Sequence, residues 1–234
     1  VPECHSTNTA LQALHDTSPQ AEGTIFVADH QSAGRGQRGN SWEAEPGKNI
    51  TFSVLLNPSF LAPADQFKLN MAVSLGVAHG LQNLVSAPVL LKWPNDIWLQ
   101  ERKVGGVLIE NQIRGQQLSA SIVGIGINVN QQQFQSPLAT SLSVVAGNEF
   151  QLQEVLDAVV ESLEGEYLRL RAGSAELKSR YMAKMYRMGE SHRFIADGAP
   201  FEGTIRDIDE AGRICMDTMN GPRVFSFQQV KFII

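Results

Sequence analysis

Apolar residues in this chain recur with two periods. Phe67, Met71, Leu75, Ala78, Leu81 and Val85 follow one another at three- and four-residue steps, which predicts an amphipathic helix from Asp65 that covers a sheet. Leu152, Val155, Leu156, Val159, Val160, Leu163 and Tyr167 predict a long second helix. Leu177, Tyr181 and Met185 predict a shorter one, beginning near Ser174 and stopped at Gly189. Near the start, Ala10, Leu11 and Leu14 have helical spacing behind Ser6-Thr7-Asn8, a set that reads as a helix N-cap and equally as hydroxyl and amide groups facing a ligand. Strand patterns fall at 24–28, 50–56, 89–91, 104–110 and 117–123. The last runs into Gly124-Ile125-Gly126-Ile127-Asn128, where a bulge or an Asn aimed at a ligand is expected. Residues 131–150 read as loop.

After Gly189 the texture changes to short strands at 191–196, 201–208, 213–217, 223–227 and 230–234, separated by Asp-Gly and Asn-Gly turns. The expected architecture is α+β: a mixed sheet with flanking helices over residues 1–188, followed by a small β-barrel over 189–234.

Composition narrows the function. With 43% hydrophobic and 18% charged residues, 234 positions bury a full core. No apolar run approaches the roughly 18 residues of a membrane span, and no signal-peptide pattern opens the chain, so a cytoplasmic protein is expected. Cys4 and Cys215 stand far apart and the five histidines are scattered, which supports neither a disulfide framework nor a metal cluster; metal ligands are left unassigned. The net charge of -5 argues against a general nucleic-acid binder. Yet Arg35, Arg38, Lys48, Lys92, Arg102 and Lys103 all lie in the first half, so a small polyanion is the better ligand class.

Lys92-Trp93-Pro94-Asn95-Asp96 has the wrong chemistry for a strand interior, because Pro removes a ladder donor and charge is costly to bury unpaired. Polar groups converging at a strand end mark a site. The chain resumes as Lys103-Val104-Gly105-Gly106-Val107, whose paired glycines permit close approach to the backbone. Gly34, Gly36 and Gly39 match G-x-G-x-x-G, but Pro46, Gly47 and a strand follow where a dinucleotide fold needs a helix and an acid. Asn40 stands where a Walker loop needs Lys, and no kinase companions follow. What survives is an anion-binding loop whose Arg35 and Arg38 bind phosphate oxygens; a flexible solvated loop or an RNA-binding Arg-Gly segment are the competing readings.

Four motifs in order, 34–42, 92–96, 103–106 and 124–128, make the chain resemble the biotin-protein ligases over nearly its whole length. The resemblance implies a class II synthetase-like catalytic domain followed by an SH3-like barrel. It implies that biotin's carboxylate attacks the α-phosphate of ATP, with Mg2+, to form biotinyl-5′-AMP. A lysine of a biotin carboxyl carrier protein or domain then takes the biotinyl group, the enzyme acting as monomer or homodimer. By the same resemblance Ser6, Thr7, Asn8, Gln31, Arg35, Gly36, Gln37, Gly105 and Gly106 match biotin positions, and Lys103 meets the biotin carboxylate and α-phosphate. Arg35, Arg38, Asn40, Trp42, Lys92, Asn95, Asp96 and Asn128 match nucleotide positions, with Lys103, Lys92, Asp96 and Arg38 as the catalytic set. Displacement at phosphorus by a weak nucleophile needs positive charge where negative charge develops, which the lysines supply.

Two departures stand out. Some members carry Arg at Gln37, and regulatory members carry an N-terminal helix-turn-helix, whereas here the motifs begin at residue 6, so DNA binding is not expected. Lys231 stands near the position where some members place an Arg. The neighbouring readings are a lipoate-protein ligase, which activates its acid in the same way, and a non-catalytic biotin-binding module, which would have lost the cationic residues retained here.

Overall fold

A computed structural model describes all 234 residues except the side chain of Arg38. In chain order the elements are β1 (Glu3–Cys4), α1 (Thr7–Thr17), β2 (Ile25–Ala28), β3 (His30–Gln31), β4 (Ile50–Leu56), α2 (Gln66–Gln82), β5 (Val89–Lys92), β6 (Asp96–Leu99), β7 (Arg102–Arg114), β8 (Gln117–Ile127), α3 (Leu142–Ala146), α4 (Leu152–Arg171) and α5 (Leu177–Ala183). The strands β9 (Ser191–Ala196), β10 (Ala199–Ile208), β11 (Ile214–Thr218), β12 (Gly221–Phe225) and β13 (Val230–Phe232) follow.

The central sheet has the order β2-β4-β8-β7-β6-β5 and is antiparallel at each pairing. The mixed character expected of it is confined to a separate parallel ladder between β1 and β3. The reason is local: β5 to β8 follow one another through tight turns, and such turns join only antiparallel neighbours.

Both faces of the sheet are covered. On β4, Ile50, Phe52, Val54 and Leu56 enter the main core with α2, while Leu55 joins Leu11, Ala120 and Ile122 beneath α1. All seven β4 residues are therefore buried, which is why this strand reads as a continuous run rather than an alternation.

The helix expected to cover the sheet with one face is instead buried nearly all round, because α4 lies across its back. A Cβ at Gly76 would stand 2.6 Å from Leu163 Cα, and one at Gly80 2.6 Å from Val159 Cα, so the two backbones touch where only glycine fits. The segment expected as loop contains α3, closed by Ser141 Oγ accepting from the Val144 N–H at 3.2 Å and by Gly147 at φ 77°. The helix expected from near Ser174 shrinks to α5, because residues 184–186 leave it to bond along Leu91 and cover the β5 edge. The glycines at 124 and 126 make no bulge, since β8 pairs in unbroken register with β4.

The last five strands form an antiparallel sheet of order β12-β11-β10-β9-β13. Phe194, Ile205, Ile208, Ile214 and Met216 from it belong to the same buried cluster as the α2 and α4 side chains. Trp93 Nε1 donates to Gly212 O at 2.9 Å, and Phe227 lies 5.2 Å from the Trp93 ring and 6.1 Å from Phe67. No helix is long and apolar enough to cross a membrane.

Candidate functional site

A cavity of about 760 Å³ opens on the α1 side of the sheet. Its walls come from the start of α1, the glycine loop, β7, β8, the turn at 93–95 and residues 227–234.

Ser6, Thr7 and Asn8 supply buried polar groups at one end. Ser6 holds the N-cap position, yet its hydroxyl caps nothing. The first helical amide is met from outside, as Gln31 Oε1 accepts from the Thr7 N–H at 2.8 Å and from Thr7 Oγ1 at 3.1 Å. Ser53, fully buried on β4, lies 2.7 Å from Thr7 Oγ1 and 2.6 Å from Asn8 Oδ1. Asn8 Nδ2 donates to Glu110 Oε2 at 2.7 Å. Nδ2 also donates to Leu108 O at 3.3 Å, and these two acceptors give the amide one orientation. The expected N-cap is thus also a ligand-facing set, and the capping has been delegated to Gln31, which frees the Ser6 hydroxyl to line the cavity.

The glycine loop folds over this end as a small hairpin. The Trp42 N–H donates to Gly34 O at 2.9 Å, the Gly36 N–H to Asn40 O at 2.7 Å, and Arg35 bridges Ser41. Arg35 Nη2 reaches Glu110 at 2.8 Å. The Trp42 ring lies flat against β8, where a Cβ at Gly126 would stand 2.5 Å from it; a Cβ at Gly124 would stand 2.3 Å from Asn8 Oδ1. The two glycines of β8 exist to admit these side chains.

The opposite end is cationic. Lys103 Nζ lies 2.6 Å from Asp96 Oδ1 and 5.8 Å from the Trp42 ring, and Lys92 Nζ stands 4.0 Å from Asp96 Oδ2. Lys92 is sandwiched between Trp98 at 5.0 Å and Phe232 at 4.8 Å. Burial holds its ammonium below the ordinary lysine range; Asp96 opposes that shift, and Lys103 and Arg187 add to it. The turn between β5 and β6 is pinned to its surroundings: the Val107 N–H donates to Asn95 O at 3.0 Å, Asn95 Nδ2 donates to Val107 O, and Asn70 Nδ2 donates to Pro94 O at 2.9 Å. The 93–95 residues, which could not be a strand, are the rigid mount for the two charged strand ends.

Ser6, Thr7, Asn8, Gln31, Arg35, Gly36, Gln37, Asn40, Trp42, Lys92, Asn95, Asp96, Lys103 and Gly106 all line this cavity. Two residues expected at the site stand off it. Gly105 faces away, with room for a Cβ closed by Gly126 O at 2.8 Å. Asn128 is buried behind the cavity, where its N–H donates to Val104 O at 2.8 Å and Nδ2 to Thr140 O at 2.9 Å. Strand alternation explains Gly105, whose neighbour Gly106 lines the cavity; Asn128 lies just past the end of β8, where its backbone and side chain are taken up by Val104, Thr140 and Leu142. Arg38 falls outside the described residues as to its side chain. Glu110, Ser53, Phe227 and Phe232 were not anticipated. A serine inside the mainly apolar run 50–56 was a usable signal for Ser53; nothing local marked the two phenylalanines, which arrive from the C-terminal strand region.

A polar, uncharged end joined to a cationic end suits a ligand with a neutral hydrogen-bonding head and an anionic, phosphate-bearing tail. Among the described residues no group of three His, Cys, Asp or Glu side chains could hold a metal ion.

The profile of the biotin/lipoate A/B protein ligase family matches residues 2–128. The bifunctional ligase/repressor BirA of Bacillus subtilis is 31% identical over 220 residues, covering 91% of this chain, and the chain spans 66% of that relative. The biotin--[acetyl-CoA-carboxylase] ligase of Paracoccus denitrificans is 30% identical over 236 residues and covers 97% of each chain. In structure the chain is similar to the biotin protein ligase of Aquifex aeolicus solved in complex with biotin and ATP, with a TM-score of 0.82 and 29% identity over 100% of this chain and 97% of that one.

Proposed function

Because the chain belongs to the biotin/lipoate A/B protein ligase family, we propose that it is a biotin protein ligase that makes biotinyl-5′-AMP from biotin and ATP and passes biotin to a lysine of a carboxyl carrier. The observation that carries this reading is the placement of Lys103, held 2.6 Å from Asp96 in a cavity that is polar and neutral at one end and cationic at the other.

In this reading the ureido head of biotin takes the end lined by Ser6, Thr7, Asn8 and Gln31, while Arg35, Gly36, Gln37 and Gly106 border the rest of the molecule. Its carboxylate lies at Lys103, between the two ends. ATP takes the side of Asn40, Trp42, Lys92, Asn95 and Asp96. A carboxylate oxygen bonds to the α-phosphorus as the bond from phosphorus to pyrophosphate breaks. Negative charge builds on the phosphoryl oxygens and the leaving group, where Lys103 and Lys92 stand preorganised. In the second step the carrier amine bonds to the acyl carbon, AMP departs and the amine loses its proton. No base of high strength is needed in either step, which fits a site whose one lining carboxylate, Asp96, is already engaged by Lys92 and Lys103.

Gly105 and Asn128 act by letting the strands pack and are not assigned to ligands. Mg2+ enters as the companion ion of ATP; the described residues offer it no ligand cluster, and no step is assigned to it. The fold divides near residue 188 into a catalytic part and an SH3-like part that lends Phe227 and Phe232 to the cavity. The cytoplasm, where ATP and carrier meet, is taken as the site of action.

Mass spectrometry of protein with Mg-ATP and either biotin or lipoate tests the assignment. Biotinyl-5′-AMP is expected with biotin; preference for lipoate would move the chain to the other branch of the family, and no adenylate with either acid would overturn the catalytic reading.

A further inference from the structure

One oxygen of Glu110 serves two elements of the cavity at once. Its Oε2 accepts from Asn8 Nδ2 at 2.7 Å and from Arg35 Nη2 at 2.8 Å. We propose that Glu110 is a positioning residue for biotin, orienting the Asn8 carboxamide and latching the glycine loop through Arg35; this rests on the ligase reading for the identity of the ligand.

The Asn8 side of the argument is one of hydrogen-bond direction. An amide can be turned over at little cost unless its two ends have different partners. Ser53 presents a hydroxyl to Oδ1, but a hydroxyl both donates and accepts, so it does not decide the matter. Glu110 only accepts, and with its shorter, charged bond it is the stronger of the two acceptors that draw Nδ2, the other being the Leu108 carbonyl at 3.3 Å; Oδ1 is left beside Ser53 and Gly124. The carbonyl of Asn8 is thereby held where a β8 side chain would otherwise be, and a flipped amide would turn a donor into that place.

The Arg35 side is one of anchorage. The hairpin of the loop is closed by its own backbone, through Trp42 to Gly34 and Gly36 to Asn40. Between Gln31 and Trp42, Arg35 is the described side chain that forms an ion pair with the sheet, and its partner is Glu110. A half-exposed ion pair is worth little by itself. Here, however, the carboxylate is already ordered by Asn8, so most of the entropy of holding it is spent, and each bond supports the other. Arg35 also separates the main cavity from a smaller hollow of about 320 Å³ lined by Gln12, Asp16 and Glu110. Releasing it would join the two and let the loop lift.

The test uses Glu110→Ala and Glu110→Gln in the full chain, with biotin affinity by calorimetry and amide exchange of residues 33–37 without ligand as readouts. Glu110→Ala removes both bonds, so biotin should bind roughly tenfold more weakly and the loop amides should exchange faster. Glu110→Gln keeps a neutral acceptor for Asn8 but loses the charge that holds Arg35. Biotin affinity should then stay within roughly threefold of the parent while the loop amides still exchange faster. A purely structural role would lower the melting temperature and move neither readout. Parent-like biotin affinity in Glu110→Ala, or parent-like exchange of residues 33–37 in both variants, overturns the proposal. A parent that binds biotin and shows these effects but forms no biotinyl-5′-AMP overturns the ligase reading alone, and a parent that does not bind biotin overturns both.

Discussion

Lys103 Nζ stands 2.6 Å from Asp96 Oδ1, while Lys92 Nζ stands 4.0 Å from the other oxygen of the same carboxylate. One anion thus spaces two cations across the β5, β6 and β7 ends, and the pairing holds them in place before any phosphate arrives. The site is therefore preorganised for charge that appears only during reaction. Lys103→Ala should slow formation of biotinyl-5′-AMP by roughly 100- to 1000-fold, the usual cost of one preorganised charge at a reacting centre, with a much smaller effect on carrier binding. Rapid-quench measurement of the adenylate, beside a carrier-binding titration, checks this; adenylate formed at the parent rate would remove Lys103 from the catalytic set.

Lys92 carries a cost in stability. Its folded-state pKa is depressed, chiefly by burial. Between the depressed value and the ordinary lysine value the unfolded chain binds more protons than the folded one, so stability rises with pH in that window, and the penalty is fully present below it. Lys92→Met should therefore raise the melting temperature at pH 7, with a smaller gain near pH 10, and should cut adenylation by roughly 100-fold or more. Melting curves at the two pH values decide it: a variant less stable than the parent at pH 7 shows that Asp96 and the flanking rings outweigh burial.

The elements that carried strong periodicity, α2, α4 and the last five strands, were legible because their own residues encode them. So was most of the site, since Lys92, Asn95, Asp96 and Lys103 are chemically out of place in strands and the glycine loop has no apolar reason to exist. What the sequence could not display is what other elements do to a position. The burial of α2 on its back depends on α4 crossing at Gly76 and Gly80, and glycines inside a helix carry no mark of their partner. Asn128 stands in step with cavity-lining Gly126, but the strand ends at Ile127 and bonds to Val104, Thr140 and Leu142 carry it behind the cavity, partners that its own motif does not announce. Phe232 reaches Lys92 from the far end of the chain, a contact that no local pattern announces.

The glycines of β8 give the most selective probe of the floor. A Cβ at Gly124 would meet Asn8 Oδ1 at 2.3 Å and Cγ at 2.9 Å, so the amide must leave its place between Ser53 and Glu110. Gly124→Ala should weaken biotin binding by roughly tenfold or more, since a displaced buried amide loses its paired hydrogen bonds. Gly165 in α4 has nothing within 4 Å of its added Cβ; Gly165→Ala should leave binding alone and stabilise the fold by up to about 1 kcal/mol. Calorimetry and melting curves on the two variants separate a site effect from a general one, and unchanged biotin affinity in Gly124→Ala would count against Asn8 as a biotin contact.

Gln37 lies on the cavity wall, in a 3-10 turn, Gln37–Gly39, at the tip of the glycine loop. A neutral carboxamide there offers donors and an acceptor but no charge, whereas charge-assisted hydrogen bonds are roughly twice as strong as neutral ones. Retention of the mixed anhydride then falls to Arg35, Arg38, Lys92, Lys103 and closure of the loop, which among the described residues is held to the sheet by the half-exposed ion pair of Arg35 with Glu110. An arginine at 37 would add a cation on the wall facing the phosphate. Gln37→Arg should accordingly slow the release of biotinyl-5′-AMP, by roughly tenfold for one added charged hydrogen bond, and slow amide exchange across 33–37 once the adenylate is bound. The dissociation rate of preformed biotinyl-5′-AMP from parent and variant is the measurement. Release from Gln37→Arg as fast as from the parent would show that loop closure, rather than charge at position 37, sets the residence time of the intermediate.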